Sequence, residues 1–314
     1  MNALPMNVSL KLFSYSLLCV FSFTLAFPCY ALDPEPRKWN HVPMDTNFAG
    51  AAFVYTEADI FIDPVLKLED VEMEMKTLGG VYIRTFELFG KSARIDLTQG
   101  YKEATWTGLL EGVLGSTSRS GWSDTLVRFG INLYGAPPLR GEEFFAYRAK
   151  HKVETIVGVG LVVRLPTGDY EEDKLLNLGQ NRFVFRPQLG IVHNHGKWTT
   201  ELTGEVALHM ENDEFFNGNT LKQEPMYILI GHLMRSFNPG QWLGLSFGGE
   251  YGGKLTLNDI DNDDTTQLNV GWAVNYVHPL SRQASIKFKY IGIRRKELTG
   301  FDAETLVISG AYAW

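Results

Sequence analysis

Both cysteines of the 314-residue chain, Cys19 and Cys29, fall within its first 31 residues. Beyond that point there is no thiol, which excludes disulfides, thiolate nucleophiles and cysteine-ligated metals. Basic charge is also scarce, with 29 Lys+Arg against 36 Asp+Glu. Nucleic acid is thereby excluded as a partner, because its recognition needs a basic face. Long apolar runs are missing too. After residue 31 the longest, "TIVGVGLVV" and "MYILIGHLM", are nine residues, and His232 breaks the second. A spanning helix needs about 20 apolar residues, whereas a spanning β-strand needs only about 9–11. Catalytic signatures are equally absent: there is no G-x-S-x-G, H-E-x-x-H, Walker loop or C-x-x-C, so no enzyme and no cofactor is expected.

What is present begins with an export signal. Lys11 is the only charge before "LFSYSLLCVFSFTLAF", and "CYA" places small residues at Cys29 and Ala31, two apart, as a cleavage site requires. Two prolines follow in "LDPEPRKWN", so the apolar run does not continue as an anchor, and no lipobox precedes either cysteine. Cleavage after Ala31 leaves 283 residues (314 − 31), and loss of Lys11 lowers Lys+Arg from 29 to 28, a net charge of −8.

The remainder alternates with period two, the mark of strands with two unlike faces. Residues 267–277 put Leu268, Val270, Trp272, Val274 and Tyr276 opposite Gln267, Asn269 and Asn275. Ala284, Ile286, Phe288 and Tyr290 oppose Ser285, Lys287 and Lys289. Val127, Phe129, Ile131 and Leu133 oppose Arg128 and Asn132, and Val157 to Val163 oppose Gly158, Gly160 and Arg164. In "HNHGKW", a two-residue turn at His195-Gly196 makes paired numbers sum to 391, so that Leu189 meets Leu202, Phe185 meets Val206 and Arg186 meets Glu205.

Twelve strands are expected, at 46–56, 73–87, 93–101, 124–134, 155–165, 182–193, 198–209, 226–237, 242–252, 266–277, 284–293 and 304–314. Short connections ("LFGK", "NHGK", "NPGQ", "PLSRQ") alternate with long polar ones, except that 135–152 has room for a short helix. An even strand number with short turns at one rim and long loops at the other predicts an all-β transmembrane antiparallel barrel of the bacterial outer-membrane type, over 46–314. A soluble sandwich gives loop lengths no reason to alternate. Segment 32–45 precedes the barrel, either as a periplasmic stretch or as a plug. The chain ends on Leu306, Ile308, Gly310, Tyr312 and Trp314 at every second position. In a closed barrel the last strand pairs with the first, so this end is structurally required. It also has the form of an assembly signal read by the outer-membrane assembly machinery.

The segments "LPTGDYEEDKLLNLGQNRFVFRPQLG" (165–190), "GGEYGGKLTLNDIDNDDTTQLNVGWAV" (248–274) and "LTGFDAETLVISGAYAW" (298–314) resemble the outer-membrane transporter family named for the meta-pathway of phenol degradation. "DTNFAGAAFVY", "FIDP" and "RTFELFGKSARIDLTQGY" extend the resemblance over essentially the whole mature chain. It implies an outer-membrane transporter of aromatic or other hydrophobic compounds. "LTLNDI" departs from the pattern, with Asp259 where a glycine is expected after the asparagine.

Candidate sites are few. Gly158 and Gly160 lack the third glycine and the helix of a nucleotide loop, and read instead as relief of crowding in a narrow, curved barrel. Residues 259–264, with Asp259, Asp261, Asp263 and Asp264, form either a solvated acidic loop or a divalent-cation bridge to lipopolysaccharide. His193, His195, His209 and His232 are too scattered for a metal site. Alternation turns Arg94, Asp96, Arg128, Arg164, Arg186, Glu201, Glu205, Glu250, Lys287 and Lys289 inward, and Arg84 joins them opposite Asp96. The expectation is a narrow outer-membrane channel for passive uptake of small solutes, in contact with lipid and lipopolysaccharide. A structural or adhesive barrel with a plugged lumen is the alternative, and a barrel-embedded hydrolase the third class. The charged lumen argues for a hydrophilic or anionic cargo, the resemblance for an aromatic one.

Overall fold

The computed structural model describes residues 34–61, 68–110 and 113–314. The expected signal peptide, residues 1–31, lies outside the described residues. In chain order the elements are β1 (Asn47–Phe61), β2 (Leu68–Leu88), β3 (Lys91–Leu110), β4 (Val113–Trp122), β5 (Thr125–Tyr134), α1 (Gly141–Lys150), β6 (Val153–Leu165), β7 (Val184–His195), β8 (Trp198–His209), β9 (Asn212–Phe215), β10 (Asn219–Gln223), β11 (Met226–Asn238), β12 (Gln241–Gly252), β13 (Leu255–Leu257), β14 (Ile260–Asn262), β15 (Gln267–Pro279), β16 (Ala284–Arg295) and β17 (Gly300–Ala313). Neighbouring wall strands pair antiparallel around a closed circuit of twelve positions, β1, β2, β3, β5, β6, β7, β8, β11, β12, β15, β16 and β17. β4 prolongs one of these positions: it lies against the far half of β3, while β5 takes the near half.

Period-two alternation decides which face each residue takes. Phe53, Leu97, Leu189, Leu229, Leu245 and Phe288 form part of an exposed apolar belt on the outside. A belt on this scale is far more than a water-facing surface tolerates, and matches the lipid face of a spanning barrel. Closure falls where the chain ends. β17 meets β1 with Phe48 opposite Ala313, and Asn47 and Trp314 exchange both backbone hydrogen bonds at 3.0 Å. The Trp314 and Tyr312 rings stack outside, with centroids 6.0 Å apart. Deletion of Trp314 removes that last pair, so the variant should assemble poorly, reported by loss of heat-modifiable gel migration. A deletion variant that migrates like the full chain contradicts this.

Three details of register differ from the expectation. In the β7–β8 hairpin, His195 pairs with Trp198 and Leu189 with Gly204. The sum is therefore 393 and not 391, and the turn is Gly196-Lys197. Gly196, at φ +61, takes the first turn position, which a type II′ hairpin reserves for glycine. A slip of two keeps every side chain on its face, so the inward set of these strands is unaffected. In the β2–β3 hairpin the turn is Phe89-Gly90, at φ +51 and +70. This sets Ile83 opposite Asp96 and Arg84 opposite Ile95, an odd shift that moves Arg84 to the outer face. Finally, β1, β2 and β3 run well beyond the expected boundaries, to Phe61, from Leu68 and to Leu110, and β4 lies wholly between the expected third and fourth strands. Their alternation continues there: Val71, Met73 and Met75 are buried while Glu72 and Glu74 face out.

Above the long-loop rim, β9, β10, β13 and β14 form a small second sheet in the order β14-β13-β10-β9. Asn258 and Asp259 make its β13–β14 turn with φ +49 and +61. Aspartate therefore serves where glycine is expected, since Asn and Asp tolerate the left-handed region better than other side chains. At the opposite rim, the connection 135–152 carries α1, whose Phe144 is wholly buried.

Candidate functional site

The lumen is not empty. Residues 34–45 run from the short-turn rim up into it, and the inward charges on the wall hold them there. Glu35 is fully buried and accepts hydrogen bonds from Lys287 Nζ at 2.8 Å and Lys289 Nζ at 3.0 Å. Glu201 accepts the backbone N–H groups of Arg37, at 2.7 Å, and Lys38, at 3.2 Å. Lys38 Nζ stands 3.4 Å from Glu205 Oε1, whose other oxygen accepts from Arg186 Nη2 at 2.5 Å. The Arg37 guanidinium lies over Trp242, 4.4 Å from the ring centre. Lower down, His41 Nε2 donates to the Pro137 carbonyl at 2.8 Å, its Nδ1 is 3.1 Å from Glu154 Oε1, and its ring packs edge-on against Phe144 of α1.

Trp39 is the centre of this segment. A Cβ at Gly190 would overlap its indole nitrogen, and one at Gly158 would stand 2.5 Å from Cε3. At Gly160 the same construction leaves 3.1 Å to the ring. Gly158 and Gly190 are directly paired across β6 and β7. The glycines expected to relieve barrel crowding therefore make a flat recess for one ring. Arg128 covers the other face, its guanidinium carbon 4.6 Å from the ring centre, and the indole N–H donates to Thr203 Oγ1 at 3.0 Å.

Of the residues expected inward, Arg94, Asp96, Arg128, Arg164, Arg186, Glu201, Glu205, Glu250, Lys287 and Lys289 occupy the inner face, and all except half-buried Arg94 are buried. Arg84 does not. It sits on the outer face at the short-turn rim, donating to Asn47 Oδ1 at 2.7 Å. The Arg186–Glu205 pair survives the register change as a diagonal contact across β7 and β8. The remaining groups form a lattice on the wall. Arg94 forks onto Asp96, with Nε to Oδ1 at 2.8 Å, and Arg128 donates from Nε to Gln188 Oε1 at 2.9 Å. Arg164 is 3.7 Å from Asp124, and Glu250 accepts from Asn269 at 2.9 Å. A buried ion survives only when paired or hydrogen-bonded, and the plug supplies partners to Lys287, Lys289, Glu201 and Glu205.

Two cavities lie toward opposite rims of the barrel. One of about 290 Å³ lies beneath the long loops, between Arg164, Arg186 and His209 on one side and Phe61, Met226 and Phe301 on the other. The other, about 350 Å³, opens at the short-turn rim beside Arg37, His41, Arg148 and Lys197. Two lysines brace the acidic loop. Lys254 Nζ reaches Asp263 at 2.9 Å and Asp261 at 3.4 Å, and Lys222 reaches Asp259 at 2.6 Å. The Thr256 hydroxyl, and then Lys254, hold the Asp261 carboxyl below its ordinary range. Among the described residues no group of three or more His, Cys, Asp or Glu is arranged to hold a metal ion.

Sequence reasoning overlooked Glu35, Lys38 and Trp39. Their signal was present in combination: a lone tryptophan before the first strand, and three inward glycines on adjacent strands with nothing to fill them.

The family described as "Putative MetA-pathway of phenol degradation" matches residues 65–292. Among solved structures, an outer membrane channel from Pseudomonas putida F1 is similar at a TM-score of 0.74 and 16% identity, over 89% of this chain and 99% of that one. That likeness shows the fold. The β domain of the Bordetella autotransporter BrkA is similar at a TM-score of 0.46 and 10% identity, over 86% of this chain and 100% of that one, and carries no weight beyond this. No curated protein matches the chain.

Proposed function

We propose, from the premise that the chain belongs to the phenol-degradation MetA-pathway family, that it forms a passive outer-membrane channel for small solutes whose resting state is closed by its N-terminal segment. The observation that carries this reading is the burial of residues 34–45 inside the barrel, with one cavity under the long loops and another, lined in part by Arg37, Asn40 and His41, at the short-turn rim. A permanently filled barrel would need no chamber at either end. Hydrogen bonds and ion pairs, which water and solute can replace, hold much of the plug, and its departure would widen the lumen beside the apolar cluster of Met73, Met75, Trp106, Ile228 and Ile230.

The reading includes export by a cleaved segment 1–31, lipid around the apolar belt, contact of the loops with lipopolysaccharide, and recognition of the terminal alternation by the outer-membrane assembly machinery. The family description and the apolar side of the 290 Å³ cavity support an aromatic cargo, while Arg164 and Arg186 favour one bearing a polar or anionic group. Planar-bilayer recording of the refolded chain is the test. Discrete openings from a mostly closed baseline are expected, whereas a barrel that stays silent even with the plug deleted is structural.

Orientation has its own test. The long loops should face the medium and the short turns the periplasm. Because the expected mature chain has no cysteine, single cysteines at Asp261 and Gly240 label cleanly. Intact cells should accept an impermeant maleimide at position 261 and exclude it at 240; the opposite pattern inverts the barrel.

A further inference from the structure

The recess that holds Trp39 has the attributes of a ligand site. Its floor is backbone, because Gly158, Gly160 and Gly190 present no Cβ toward the ring. Its roof is the Arg128 guanidinium, 4.6 Å from the ring centre. An acceptor, Thr203 Oγ1, waits at the edge, and Ile156 and Val192 supply an apolar side. A gap between backbone and guanidinium admits a flat ring and rejects a puckered one, while the cation rewards a π face. Arg128 is itself fixed by Gln188 and Asp96, so the roof is preorganised.

We propose that this recess is a binding site for small planar aromatic solutes carrying a hydrogen-bond donor at the ring edge, and that such a solute favours the open barrel by taking the place of Trp39. The binding part stands on the geometry of the recess, and the opening part rests on the channel reading above. Trp39 is then a tethered competitor. A short tether gives an effective concentration in the millimolar range, so free aromatics at about millimolar levels compete with it. No new contact is needed, because the solute meets the same floor, roof and acceptor.

The probe is indole, the ring of Trp39 itself. Refolded Trp39→Ala in micelles should bind indole saturably, and Trp39→Ala with Gly190→Val, which fills the recess from its floor, should retain only micelle partitioning. Adding Arg128→Gln to Trp39→Ala should weaken indole by about tenfold through loss of the cation over the ring. Equal indole uptake by Trp39→Ala and its Gly190→Val derivative overturns the site. Heat-modifiable migration checks assembly, and Trp39→Leu, which keeps apolar bulk without a ring, takes the place of Trp39→Ala if that variant does not fold. In bilayers, indole should raise the open probability of the unaltered chain while cyclohexanol, of similar size but puckered, should not. An unaltered open probability at indole levels that saturate Trp39→Ala overturns the displacement. Indole binding with a silent Trp39→Ala bilayer leaves the site standing and removes the channel reading, and conductance without indole binding does the reverse.

Discussion

Gly190→Val should hold the barrel open. The added side chain projects into the volume of the Trp39 indole, and the nearest obstruction is the ring itself and not another wall strand. Valine suits a strand, so the wall should form normally. Overpacking of this kind costs roughly 1–3 kcal/mol, and here the three atoms nearest the added Cβ all belong to Trp39, so the cost falls first on the seated plug. A bias of that size shifts a two-state ratio about 5- to 150-fold. Single-channel recording should therefore show a large rise in open probability at unchanged unit conductance. Gly204→Val, on the outer face of β8 with open space around its Cβ position, is the matched control. Equal open probability in the two variants would mean that Trp39 does not close the pathway.

Glu205→Gln should produce the largest loss of stability among single lumen changes. Its carboxylate is wholly buried and serves two cations, Arg186 on the wall and Lys38 on the plug. Removing one partner from a buried ion pair costs about 3–5 kcal/mol, because the remaining charges stay desolvated, whereas an exposed pair contributes only about 0–1. Arg186→Gln in the same chain should recover part of the loss, and Lys38→Met should recover more. Denaturant unfolding in micelles, combined as a mutant cycle, measures these terms. A loss below about 1 kcal/mol for Glu205→Gln would mean that water reaches this layer and that the plug is seated only loosely.

The same pair illustrates what alternation can and cannot determine. Arg186 and Glu205 were legible as inward neighbours although their pairing was displaced by two residues, since an even slip preserves the face. Arg84 was misplaced because the Phe89-Gly90 turn imposes an odd shift, and an odd shift exchanges the faces. Phase within a strand is thus robust, while phase carried across a turn depends on turn geometry that one sequence leaves open.

By itself, the sequence determined the number of wall strands, the return of the last strand to the first, and the two unlike rims. All of these follow from local periodicity, connection length and the need to satisfy every backbone group in lipid. Tertiary structure alone decided that Glu35, Lys38 and Trp39 enter the lumen and that the β6 and β7 glycines receive a ring. The physical reason is distance along the chain. The plug meets Pro137 across 96 residues and Glu201 and Thr203 across more than 160, and no period in the segment before β1 encodes which wall it will touch. That choice emerges only when the closed barrel brings the inward charges of β7, β8 and β16 around one axis.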